Sequence, residues 1–126
     1  MTRILAALVF VVFATAAHAG QQQPRTMMDC FEQAGQMYKV PPMLLQSIAW
    51  VESRYDKNAK NHNTNGSVDM GVMQINSVHL KKGWKAGDLL NCDKNIQFAY
   101  EIYKGSGWNA WSSYKNGAYK NHLALN

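Results

Sequence analysis

Apolar and polar positions along this chain follow three different rhythms. From Ile4 to Ala14 the residues are apolar without a break, preceded by Arg3 and followed by the small-x-small exit Ala17-His18-Ala19. That layout predicts a secretory signal peptide over 1–19, with a single mature domain over 20–126. The rival, an N-terminal membrane anchor, needs roughly 20 apolar residues, more than this run supplies.

The rhythm then becomes helical. A first helix is predicted over 27–39, interrupted by Pro41-Pro42, whose second proline suits the first turn of the next helix. In that next segment, PMLLQSIAWVESRY, a step of about 100° per residue gathers Leu44, Leu45, Ile48, Ala49 and Val51 on one side. Gln46, Ser47, Ser53 and Arg54 fall on the other, while Glu52 lies on the apolar side, in line with Leu44 and Ile48. The third rhythm starts with the almost wholly polar DKNAKNHNTNGS, in which Asn65-Gly66 is a strong hairpin signal. The segment from Val68 to Ile75 reads as the return strand turning into the interior, with Gly71 allowing a bend or a close backbone approach. Helical periodicity returns over 93–104, with Ile96, Ala99, Tyr100 and Tyr103 on one face, and over 109–115, with Gly105-Ser106-Gly107 as linker and helix stop. The predicted class is α+β, mostly α-helical, with a small antiparallel sheet carrying Asp69 beside the end of the second helix.

Composition narrows the setting. Without its first 19 of 126 residues the chain keeps 107, enough for one core but not two. Arg3 leaves with the signal, so the formal charge of +5 becomes +4, which suits an anionic polymer outside the membrane. The densest basic cluster, Lys81-Lys82-Gly83-Trp84-Lys85, has no nucleic-acid motif beside it and reads as a solvated loop. Cys30 and Cys92, bound for an oxidising compartment, read as one disulfide, worth about 4 kcal/mol in the chain-entropy picture. No CxxC pair is present, and His62, His79 and His122 are scattered, so no metal site is expected.

Two carboxyls in unlike surroundings suit glycosidic cleavage, one holding a proton for the leaving oxygen, the other ionised to stabilise positive charge at the sugar carbon. A carboxylate facing a core loses hydration and tends to keep its proton. Glu52 on its apolar face fits the first role, although helix geometry equally lets it turn outward or pair with Arg54. Asp69 fits the second role, but pattern alone favours a hairpin charge satisfying backbone donors.

The run ESRYDKNAKNHNTNGSVDMGVMQINS resembles the lysozyme superfamily at two levels. Glu52-Ser53 followed by Gly71-Val72-Met73-Gln74-Ile75 is similar to the Glu-Ser and Gly-Leu-Met-Gln-Ile signature of soluble lytic transglycosylase (SLT) domains. Gly66, Ser67, Asp69, Gly71, Gln74, Ile75, Asn76 and Ser77 resemble the hairpin pattern of c-type lysozymes. From about Asp29 to Gly117 the chain looks like the small exported transglycosylases that accompany bacterial secretion, conjugation and pilus systems, in which cysteines at the places of Cys30 and Cys92 are common. The later segment Ser113-Tyr114-Lys115-Asn116-Gly117 matches the family's Ala-Tyr-Asn-Ala-Gly, with Lys115 where Asn is expected and Asn116 adjacent as a substitute. The chain stops nine residues after Gly117, short of a further helix in larger relatives, which implies a cleft open or completed by a partner.

The resemblance implies a lysozyme-like fold and cleavage of the β-1,4 bond between N-acetylmuramic acid and N-acetylglucosamine in peptidoglycan glycan strands. It assigns Glu52 as acid and base, Asp69 as its ionised partner, and Ser53, Met73, Gln74, Tyr114 and Asn116 to the substrate cleft, with Tyr114 approaching Glu52. It implies no cofactor. The expected protein is exported, periplasmic or secreted, and monomeric, meets components of a secretion, conjugation or pilus machine, and binds no specific nucleic acid. Of the tryptophans, Trp50, Trp108 and Trp111 are expected mainly inside, with Trp84 the most exposed. A hydrolytic muramidase and a non-catalytic wall-binding module are the competing readings.

Overall fold

The computed structural model describes residues 25–123, so the predicted signal segment lies outside the described residues. The first helix, α1 (Met27–Tyr38), begins with a reciprocal cap: Thr26 N donates to Asp29 Oδ2 at 2.7 Å, and Asp29 N to Thr26 Oγ1 at 3.2 Å. It stops at Lys39, in the left-handed region at φ 57°, and the chain doubles back through Pro41 into α2 (Pro42–Ser53). The return is close enough that a β-carbon on Gly35 would sit 2.5 Å from Pro42 Cγ and 2.8 Å from Val40 O, which only glycine avoids.

Helix α2 is central, packing on α1, on α4 (Ser112–Lys115) and on α5 (Tyr119–Leu123). Here the expected polar face fails: Ser47 and Ser53 are buried, not solvent-facing. They are tolerated because their hydroxyls turn back onto the helix, Ser47 Oγ to Met43 O at 2.5 Å and Ser53 Oγ to Ala49 O at 3.1 Å. A second helical layer needed covering, and a short hydroxyl that finds its own carbonyl packs almost like an apolar residue. Arg54 and Tyr55 follow with φ of 54° and 64°, a paired left-handed turn that ends the helix just after Glu52-Ser53.

The sheet is antiparallel in the order β1 (Lys60–His62), β2 (Val68–Met70), β3 (Ile75–Asn76). Asn65-Gly66 makes the predicted turn, Asn65 Oδ1 accepting from Ser67 N at 2.9 Å with Gly66 at φ 83°. The predicted return strand is shorter than expected. It ends at Met70, because Gly71 at φ 77° turns the chain, and Val72 and Met73 dive into the core before β3 resumes.

Two 3-10 turns, Ser77–His79 and Ala86–Leu90, lead to α3 (Cys92–Ser106), capped by Asn91 and closed at Gly107. Gly105 and Ser106 therefore belong to the helix, and Gly107 alone is the stop. The predicted last helix is split into a 3-10 turn, Trp108–Ala110, and the single turn α4. Beyond it, α5 packs on α2, with Tyr55 Oη and His122 Nε2 2.9 Å apart.

The core runs from Phe31 through Leu45 and Ile48 to Val72, Met73, Ile75, Leu89, Ile96 and Phe98. Cys30 and Cys92 form a disulfide joining α1 to the start of α3. Trp84 is not the exposed platform expected. It is half-buried, edge-on to Phe98 with ring centroids 3.8 Å apart, because its lysine-rich loop folds back onto α3. Among the described residues, no helix is long and apolar enough to cross a membrane.

Candidate active site

Glu52 stands on the last turn of α2, and Asp69 in the middle strand of the sheet. Both line one open groove of about 340 Å³, with Asn61, Gln74, Asn76 and Trp111 among its walls. Sequence position separates these elements. The left-handed turn at Arg54 and Tyr55 is what swings the sheet alongside the helix end.

Asp69 is half-buried and held from two sides. Asn76 Nδ2 donates to Oδ1 at 2.7 Å and Asn63 Nδ2 to Oδ2 at 3.0 Å. Antiparallel register puts Asn76 directly opposite Asp69 on β3 and Asn61 opposite it on β1. With both oxygens accepting an amide proton, the Asp69 carboxyl is held in one orientation and part of its lone-pair capacity is already engaged. Glu52 is also half-buried, and its Oε1 accepts from Ser113 Oγ at 2.5 Å.

Gln74 holds the groove floor. Its backbone is left-handed at φ 49°, rare for a residue with a side chain. Its Nε2 donates to Gly71 O at 2.9 Å and Ala59 O at 3.3 Å, and its Oε1 accepts from Asn61 Nδ2 at 2.5 Å. Beneath the floor, fully buried Asn95 of α3 donates to Met70 O at 2.9 Å and Leu89 O at 2.7 Å and accepts from Met73 N at 2.9 Å. Trp111 Nε1 reaches Met73 O at 2.8 Å, tying the opposite wall to the same turn. The turn that carries Gln74 is thus bolted to two helical segments that sequence order places far away.

Of the residues assigned to the site from sequence, Glu52, Asp69 and Gln74 share the groove. Ser53 and Met73 do not face it. Ser53 Oγ lies 2.8 Å from Val72 O inside the protein, and the Met73 side chain is wholly in the core, so both support the floor from below. The burial of Ser53 follows from the helix period, which turns it about 100° away from Glu52. Tyr114 stacks on Tyr119 at 4.7 Å between centroids, and the hydroxyl on Glu52 is that of its neighbour Ser113. Asn116 serves a turn, its Oδ1 accepting from Ala118 N at 2.9 Å. Ser113, Asn63, Asn76 and Asn95 were not singled out as chemistry from sequence. Asn61 and Asn76 become neighbours of Asp69 through the pairing of β1 and β3 with β2. Nothing local distinguishes Asn95 from any other helical asparagine. Among the described residues, no group of three or more His, Cys, Asp and Glu side chains is placed to hold a metal.

A small antiparallel sheet set against the C-terminal end of a buried helix, with a carboxyl from each facing one groove, defines a lysozyme-like protein. The fold overlays that of a lysozyme from Litopenaeus vannamei with a TM-score of 0.60 over 80% of this chain and 95% of that one, at 23% identity. Residues 29–125 match the family described as the transglycosylase SLT domain, and the chain belongs to that family of peptidoglycan-cleaving glycosidases. It is similar to Protein IpgF of Shigella flexneri, 34% identical over a region covering 86% of this chain and 75% of that protein. It is also similar to Invasion protein IagB of Salmonella typhimurium, 46% identical over 47% of this chain and only 37% of that protein.

Proposed function

We propose that this protein is a lytic transglycosylase that cuts the β-1,4 bond between N-acetylmuramic acid and N-acetylglucosamine, with Glu52 as its general acid and base. The observation that carries this reading is the placement of Glu52 on the open groove opposite an oriented, amide-held Asp69. In the first half-reaction, protonated Glu52 passes its proton to the glycosidic oxygen as the bond from that oxygen to C1 breaks. Positive charge growing on the sugar ring is stabilised by Asp69 across the groove. In the second, the Glu52 carboxylate takes the proton of the same sugar's 6-hydroxyl as that oxygen bonds to C1, leaving a 1,6-anhydro end. The groove's amides, from Asn61, Gln74 and Asn76, suit the hydroxyl and acetamido groups of a glycan.

The hydrolytic reading, in which water replaces the 6-hydroxyl, is favoured by one feature, the second carboxyl on the same groove. Digestion of purified sacculi with mass analysis of the products separates the two. Anhydro ends are expected, and hydrated reducing ends alone defeat the transglycosylase reading. Glu52→Gln should lower turnover by about 10²–10⁴-fold with the fold intact, while Asp69→Asn tests the pairing, which is wrong if that variant keeps full activity.

The setting we propose is the periplasm, where a monomeric, exported enzyme opens the wall locally for a secretion, conjugation or pilus apparatus. The Cys30–Cys92 disulfide suits that compartment, and the similarity to a protein named for invasion supports the association.

A further inference from the structure

We infer that Ser113 is a positioning residue for Glu52, assigning the two oxygens of the catalytic carboxyl to different tasks. This rests on the reading of Glu52 as acid and base. Ser113 is 2% exposed, so its hydroxyl has no water to turn to, and its 2.5 Å contact with Glu52 Oε1 is the hydrogen bond it makes among the described residues. Its place is set by its neighbours. Trp111, two residues earlier, is pinned by its Nε1 bond to Met73 O, and the backbone of 114 and 115 bonds back to Trp111 O. Glu52 Oε2 receives no hydrogen bond from the protein among the described residues.

The consequence is an asymmetric acid. A hydroxyl has one proton, and while Ser113 gives it to Oε1, that oxygen is an acceptor and the transferable proton resides on Oε2. A proton on Oε1 would point at the buried serine, out of reach of a sugar in the groove. Delivery to the glycosidic oxygen therefore breaks the Oε2–H bond, and the return step re-forms it with the proton of the 6-hydroxyl.

Ser113→Ala, Ser113→Thr and Glu52→Gln, assayed on sacculi for kcat and KM alongside melting temperatures, test the inference. Ser113→Ala should lower kcat about tenfold with KM within about twofold. Ser113→Thr, which keeps the hydroxyl, should restore the wild-type kcat even if its extra methyl lowers the melting temperature. If Ser113→Ala keeps the wild-type kcat while Glu52→Gln is inactive, the inference falls and the reading of Glu52 stands. If the Ala and Thr variants lower kcat alike, the effect is one of packing, and the inference also falls. Should Glu52→Gln retain turnover, the reading of the site itself is overturned.

Discussion

Replacing Asn95 by alanine removes the bolt beneath the groove floor without touching any groove residue. Three buried main-chain groups lose their partner at once: Met73 N–H, held at 2.9 Å, and the carbonyls of Met70 at 2.9 Å and Leu89 at 2.7 Å. An unsatisfied buried polar group costs about 1–3 kcal/mol. The two carbonyls keep a second lone pair for other donors, so the lower end applies to them, and the total is about 3–5 kcal/mol. For a domain of this size that corresponds to a fall in Tm of more than about 12 °C, against a whole stability of about 5–15 kcal/mol. Urea unfolding with the disulfide intact measures the loss directly. Sacculus digestion well below the new Tm should show reduced turnover as well, because the turn bearing Gln74 has lost its tether to α3. The variant Asn95→Asp sharpens the test. It sets a carboxyl oxygen against the two carbonyls that Nδ2 served, so the charged form is repelled and the folded-state affinity of that carboxyl for its proton rises. Stability of Asn95→Asp should then be greatest in acid, below the unfolded-state value, and be lost as pH rises through the raised folded-state value. A loss below about 1 kcal/mol for Asn95→Ala, or an Asn95→Asp variant most stable at neutral pH, refutes the argument.

Gly71→Ala should be far worse than Gly66→Ala, although both glycines have positive φ. A β-carbon at Gly71 would lie 2.0 Å from Leu89 O and 2.2 Å from Asn95 Nδ2, while at Gly66 it meets nothing within 4 Å. We expect more than about 4 kcal/mol for the first and about 1–2 kcal/mol for the second, read from thermal melts or from loss of soluble protein. Removing the disulfide with Cys30→Ala and Cys92→Ala frees a span with a sequence separation of 62 and should cost about 4 kcal/mol in equilibrium unfolding; an unchanged midpoint contradicts this. In acid, Asp29 is held below its ordinary 3.8 first by the Thr26 backbone N–H and then by its side chain, Asp88 by Lys94 and the Lys85 N–H, and Glu101 below 4.5 by Lys104. Their contribution is complete above those ordinary values and is lost as pH falls through the lowered ones. Asp29→Asn should therefore flatten the decline of Tm below about pH 4, and an equally steep decline argues that other groups govern it.

Local periodicity identified α1, α2 and α3 within a residue or two, since each carries its own cap or stop: Thr26 with Asp29, Pro42, Asn91 and Gly107. It mistook Ser47 and Ser53 for surface residues because hydroxyls count as polar in any pattern, whereas here each finds a helix carbonyl. The last helix was misdrawn for a related reason. Trp111 is drawn inward to Met73 O, and that bond, 38 residues away in sequence, breaks the segment into a 3-10 turn and α4. Glu52 and Asp69 were each legible as candidates, one from its apolar line and the other from its hairpin. Gln74 was marked by resemblance rather than by pattern.

By itself, the sequence determined the elements, the turn at Asn65-Gly66, the pairing of the two cysteines and the family to which the chain belongs. These depend on nearest neighbours along the chain or on motifs kept at constant spacing. The tertiary structure alone decided which hydroxyl meets Glu52, which amides hold Asp69 and what supports the groove floor. Each of those is a hydrogen bond between elements, directional over a few tenths of an ångström, and its partner is selected by how α2, α3 and the sheet pack rather than by anything written beside it in the chain.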